Sequence, residues 1–138
     1  MLHVKLLDEN VPLPKRQTRG SGGYDIYTPV AHIIPSGTRV NIPVAQVFGI
    51  PEGYVGFLKS RSSMARVGID VVGGVIDSDY TGEVSVLLQN TTSCDHHLKE
   101  HQRIAQLVIL PVFTGDVQRV FDLRETRRGA GGFGSTGR

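Results

Sequence analysis

Seventeen Gly and seven Pro are spread among alternating apolar segments of a 138-residue chain, and that punctuation constrains the fold more than any other feature. It is the pattern of many short strands joined by turns, so the chain is predicted to be all-β. The length suits one domain with a core of its own. Leu2, Val4 and Leu6 alternate with His3 and Lys5, the period of a strand with one buried face. Tyr24-Asp25-Ile26-Tyr27 and Tyr54 to Lys59 read as further strands. From His32 to Ile50, extended pieces separated by Pro35-Ser36-Gly37 and Pro43 predict a meander.

Only Ser62-Ser63-Met64-Ala65-Arg66 has the local propensity for a helical turn, which Gly68 would end. Asp70 to Val75 and Glu83 to Leu88 read as two extended segments joined through the acidic turn Asp77-Ser78-Asp79-Tyr80-Thr81-Gly82. Ile104 to Phe113 is nearly continuous apolar, as expected of a strand covered on both faces. Arg124 to Arg138 holds five Gly, four Arg and no aliphatic residue beyond Ala130. No core can be built from it, and a flexible tail is expected there after a 1–123 domain.

Composition narrows the function. Hydrophobic residues at 39% and charged residues at 20% are ordinary for a globular protein. A net charge of +2 gives no broad field for nonspecific nucleic-acid binding, so an anion site must be local and its ligand small. One cysteine, Cys94, cannot form an intrachain disulfide. With no signal peptide and no apolar run near the roughly 18 residues of a membrane span, a soluble cytoplasmic or nuclear protein is expected, without nucleic-acid or membrane partners.

Four constellations could carry chemistry. The tail from Arg128 to Gly137 combines a cation, hydroxyls, free backbone N–H groups and the Phe133 ring, each able to meet part of a nucleoside triphosphate; a disordered terminus or an RNA-binding tail has the same composition. Arg61-Ser62-Ser63 could bind an anion, or the serines could cap the helical turn. Asp77 and Asp79 could supply a general base, or form a solvated turn. Asp25, in an apolar segment, needs a metal or an Arg as partner. Cys94, His96, His97 and His101 match no standard zinc spacing and read as surface loop.

Together these segments resemble the trimeric dUTPase family. Five segments stand in that family's order: Gly23-Tyr24-Asp25-Ile26-Tyr27, Arg61-Ser62-Ser63-Met64-Ala65, Gly74-Val75-Ile76-Asp77-Ser78-Asp79-Tyr80-Thr81-Gly82, Arg103-Ile104-Ala105-Gln106-Leu107, and the tail from Arg128 to Gly137. The resemblance implies a jelly-roll β-barrel protomer in a homotrimer, with active sites at subunit interfaces. It implies hydrolysis of dUTP to dUMP and pyrophosphate, an activity that limits uracil in DNA and supplies dUMP for thymidylate synthesis. Asp77 would activate the water that attacks the α-phosphorus.

By the same resemblance, Tyr80 would pack on deoxyribose and the backbone near Gly74 would read uracil. Arg61, Ser62, Ser63 and Gln106 would hold the phosphates. From the tail, Arg128, Ser135 and Thr136 would grip the γ end, with Gly134 beside them and Phe133 stacked on uracil. Mg²⁺ would ride mainly on triphosphate oxygens, with Asp25 an indirect ligand through water. Gly22 and Thr81 depart from the commonest pattern, where Ala and Arg or Gln are frequent. The second segment also resembles that of dCTP deaminases, but Thr81 replaces the Glu they use for proton transfer. A regulatory protein on the same scaffold, switched by nucleotide, is the alternative from another class.

Overall fold

The computed structural model describes residues 1–134. Eleven strands and one short helix make up its elements, and every strand pairing is antiparallel. The strands are β1 (His3–Leu6), β2 (Tyr24–Tyr27), β3 (His32–Ile34), β4 (Arg39–Pro43), β5 (Gln46–Gly49) and β6 (Tyr54–Lys59). After α1 (Ser62–Arg66) come β7 (Ile69–Val71), β8 (Val75–Ile76), β9 (Ser85–Asn90), β10 (His96–Leu98) and β11 (Arg103–Pro111). A four-stranded sheet runs β2-β11-β6-β8, and a three-stranded one runs β4-β9-β7. Two-stranded ribbons, β1-β5 and β10-β3, complete a jelly-roll-like all-β arrangement.

The expected meander from His32 to Ile50 is not formed. Strands β3, β4 and β5 pair with β10, β9 and β1, never with one another. The turn chemistry at Pro35-Ser36-Gly37 and Pro43 ends each strand without closing a hairpin, because the partners that bury Ile34 and Ile42 lie far along the chain. Alternation in β9 sends Val86, Leu88 and Asn90 inward. Val86 and Leu88 join Ile26, Phe48, Ile69, Ile104 and Leu107 in one core, where each apolar side chain contributes roughly 1.5–3 kcal/mol.

The expectation of a strand covered on both faces holds for half of the Ile104 to Phe113 run. Ile104, Ala105 and Leu107 are buried between β2 and β6, whereas Leu110 and Phe113 are exposed in the single chain. Cys94 is exposed, but His96–Leu98 is not loop: it pairs with β3 and buries Leu98. Among the described residues no group of three or more His, Cys, Asp or Glu converges as a metal site. Nor is any described helix long and apolar enough to cross a membrane.

The stretch after β7 positions the site. Gly73 and Gly74 have φ of +72° and +98°, backbone values that side-chain-bearing residues rarely adopt. They carry the chain out of the three-stranded sheet and into the four-stranded one, where β8 pairs with β6 through Gly56↔Ile76 and Phe57↔Val75.

Candidate active site

At this sheet crossing lies a pocket of about 360 Å³, lined by Gly74, Ile76, Asp77, Tyr80 and Leu58 among others. Its size is within the range of small-molecule sites, about 300–1,000 Å³. Gly74 is fixed there twice over. Its carbonyl accepts the Leu58 N–H at 2.8 Å, and a Cβ on it would stand 2.8 Å from the Leu58 Cβ. A side chain at this position would strike Leu58, so the wall here is backbone alone.

Tyr80 forms the opposite flank. Its N–H donates to the Asp77 carbonyl at 3.2 Å, closing the turn, and its hydroxyl donates to the Glu83 carbonyl at 2.8 Å. A Cβ on Gly82 would fall 2.6 Å from that hydroxyl, so glycine is what lets the ring lie back on the turn. Glu83 is tied further: its Oε1 accepts the Ala45 N–H at 2.9 Å. The ring is thus held at its hydroxyl; Tyr80 is 45% exposed, and Asp77 is exposed in the same turn.

A second cluster surrounds Asp25, which is 7% exposed. Its Oδ1 accepts Arg61 Nε at 2.9 Å, and its Oδ2 accepts Gln17 Nε2 at 2.9 Å and Arg103 NH1 at 3.2 Å. The partner that this carboxylate needed is a pair of arginines. Two guanidinium charges over one carboxylate leave a local surplus of positive charge, the arrangement that receives an anion. Gln106 lies opposite Asp25 in the β2–β11 register and donates to the Ser60 carbonyl at 3.0 Å. A Cβ on Gly23 would sit 2.7 Å from Gln106 Oε1.

The helix start differs from a serine cap. Arg61 is the N-cap and makes no side-chain cap bond, and its NH1 instead donates to Ser63 Oγ at 3.3 Å. Ser62 and Ser63 fall inside the first turn, exposed, with N–H groups that the helix itself leaves free.

None of Asp25, Arg61, Arg103 and Gln106 is among the described residues that line the Asp77 pocket. Ile76, which precedes Asp77, pairs with Gly56, and Arg61 lies five residues farther along the chain. From Gly56 to the end of β6 at Lys59 alone the strand covers roughly 10 Å at about 3.3 Å per residue. The described part of the tail, up to Gly134, joins neither cluster. Arg128 Nε donates to the Gly131 carbonyl within its own turn, and Phe133 stands fully exposed. Gly134 has φ of +94°, while Ser135 and Thr136 lie outside the described residues. The sequence reading assigns no role to Gln17, Glu83 or Arg103, although Arg103 opens the fourth of the five segments, and the Arg103 contact joins residues 78 apart. An Arg opening an apolar strand was the one available signal.

The fold and its two clusters define an antiparallel β protein with a pocket of small-molecule size and a separate arginine-rich cluster suited to an anion. Comparison with known proteins gives the family. The dUTPase family model matches residues 9–137. The deoxyuridine 5'-triphosphate nucleotidohydrolase of Paramecium bursaria Chlorella virus 1 is 43% identical over 99% of this chain and 97% of its own. The dUTPase of Staphylococcus bacteriophage 80alpha, solved as a mutant with dUpNHpp, superimposes with a TM-score of 0.92 at 28% identity, covering 99% of this chain and 98% of that one. A mutant dUTPase from phage phi11 of S. aureus, solved with a structural Mg(II) ion, gives a TM-score of 0.84 at 26% identity over 91% of this chain and 99% of that one. The chain belongs to the dUTPase family, and it is an enzyme of nucleotide metabolism that hydrolyses dUTP.

Proposed function

We propose that dUTP enters with uracil against the Gly74 backbone and deoxyribose on Tyr80, and that Asp77 activates the water that splits it into dUMP and pyrophosphate. The pinned Tyr80 ring beside the Gly74 wall, with Asp77 at its edge, carries this reading. A ring that cannot retreat leaves no room for a 2′-hydroxyl, so ribose is rejected by shape. Asp77 accepts the proton of the water as its oxygen attacks the α-phosphorus in line, and the bond to the bridging oxygen breaks toward pyrophosphate.

The anion cluster supports the phosphate role of Arg61, Ser62, Ser63 and Gln106. Its distance from Asp77 supports a site completed between copies, since a nucleotide with its base at Gly74 and its α-phosphorus at Asp77 points its phosphates away from the same chain's Arg61. Leu110, Val112, Phe113, Val117, Phe121 and Leu123 are exposed apolar residues of the kind that marks an interface. A homotrimer meets both requirements. The tail from residue 124 then closes over a neighbouring site, bringing Arg128, Gly134, Ser135 and Thr136 to the phosphates and Phe133 to the base, while residues 1–123 form the domain.

Mg²⁺ fits as a cation carried in by the triphosphate, where it neutralises charge across the phosphate oxygens. Asp25 accepts three hydrogen bonds, from Gln17, Arg61 and Arg103, and a carboxylate has about four such sites, which leaves one for a water of that ion. The test is hydrolysis of dUTP, dCTP, dTTP and UTP with Mg²⁺, following pyrophosphate and nucleotide products together. Pyrophosphate and dUMP from dUTP alone is the expected result. Formation of dUTP from dCTP would mean deamination, and no turnover would mean a regulatory binder.

A further inference from the structure

Arg103 owes its position to an irregularity in β11. The pairing with β2 runs Arg103↔Tyr27, then skips to Ala105↔Ile26, Gln106↔Asp25 and Leu107↔Tyr24. One residue, Ile104, is extra, so a bulge stands where strict alternation would otherwise decide which way Arg103 points. Burial records the slip: Ile104 and Ala105 are consecutive and both fully buried, while Arg103 and Gln106 are both partly open. Were residues 103 to 107 to alternate strictly with Ile104 in register, Arg103 would share the face of Ala105 and Leu107, inside the core. With the bulge, Arg103 joins the face of Gln106 and reaches Asp25 Oδ2 with NH1 at 3.2 Å.

That single bond uses one of the five N–H donors of a guanidinium. The Arg103 side chain is 41% exposed, against 21% for Arg61 on the other carboxylate oxygen. Asp25 therefore holds two guanidinium groups side by side, the deeper one already assigned to phosphate and the more open one with donors to spare.

We infer that Arg103 is a further phosphate-binding cation of the active site, beside Arg61, delivered by the β11 bulge and aimed by Asp25; this rests on the reading of Arg61 and Gln106 as phosphate ligands. Arg103 adds a point of contact to the phosphate chain and none to the nucleoside. Its loss should therefore be felt by a triphosphate and hardly by a monophosphate.

The experiment is calorimetric titration of the full chain with dUpNHpp and with dUMP, in Mg²⁺, for wild type, Arg103→Gln and Arg103→Lys. Arg103→Gln is expected to weaken dUpNHpp about tenfold or more and to leave dUMP within about twofold. Arg103→Lys, which keeps the charge but not the fork, is expected to fall between and serves if the Gln variant does not fold. Unchanged dUpNHpp affinity in a folded variant would overturn the inference, and so would an equal loss for both ligands, which marks a purely structural role. A wild-type protein that fails to bind dUpNHpp would instead overturn the nucleotide reading beneath it.

Discussion

The two half-sites are built by opposite means. The Asp77 pocket is made of shape: positive-φ glycines, a ring held at its hydroxyl, and a turn that forms no ion pair among the described residues. The Asp25 cluster is made of charge, with two arginines and a glutamine converging on one buried carboxylate. Shape suits the discriminating end of a nucleotide, where a base and a sugar must be told apart by fit. Charge suits the end that all nucleoside triphosphates share. On the proposed assignment, the contrast would let one small domain be selective for the nucleoside while gripping a common triphosphate.

Several substitutions would break or sharpen that contrast. Asp77→Asn keeps the shape of the pocket and removes the base, so kcat should fall by about 10²–10⁴ while dUpNHpp binding persists; equal loss of both would deny Asp77 its role. Truncation before Arg128 should lower kcat/KM by roughly 10²–10³, the scale of removing positioned phosphate contacts, and leave the melting temperature unchanged. A truncated enzyme with full activity would exclude the tail from the site.

Gly74→Ala attacks shape alone. The alanine would need φ of +98° with its Cβ 2.8 Å from Leu58, a strain of about 1–3 kcal/mol that thermal unfolding should register. Tyr80→Phe, the mildest change, removes the bond to the Glu83 carbonyl, about 0.5–1.5 kcal/mol. Discrimination between dUTP and UTP should relax by up to roughly tenfold, read as the ratio of their kcat/KM values. An unchanged ratio would mean that the ring is held by packing and not by its hydroxyl.

Much of the fold was legible because its signals are local. Alternation in His3–Leu6, the helical turn at Ser62–Arg66 and the glycine at 68 each follow from neighbours in sequence. What failed was pairing: the sheet partners of β3, β4 and β5 are chosen by which apolar faces meet in the core, and turn residues do not encode that. The site shows the same division. The turn from Asp77 to Gly82 could be read as a unit, whereas the Asp25 cluster joins Gln17, Arg61 and Arg103 through contacts 8 to 78 residues apart. The β11 bulge that brings Arg103 to it leaves no mark in an apolar run.

The central claim is that the two half-sites of one chain serve different active sites, each completed by another copy. Asp77→Asn and Arg61→Gln proteins, each inactive alone, can be mixed, unfolded and refolded together, and assayed for dUTP hydrolysis. Recovery of activity well above the sum of the separate variants is the predicted result, because some mixed sites receive an intact Asp77 from one copy and an intact Arg61 from another. Activity no greater than that sum, in a mixture shown to contain hybrid oligomers, would place both residues of each site in one chain and contradict the account.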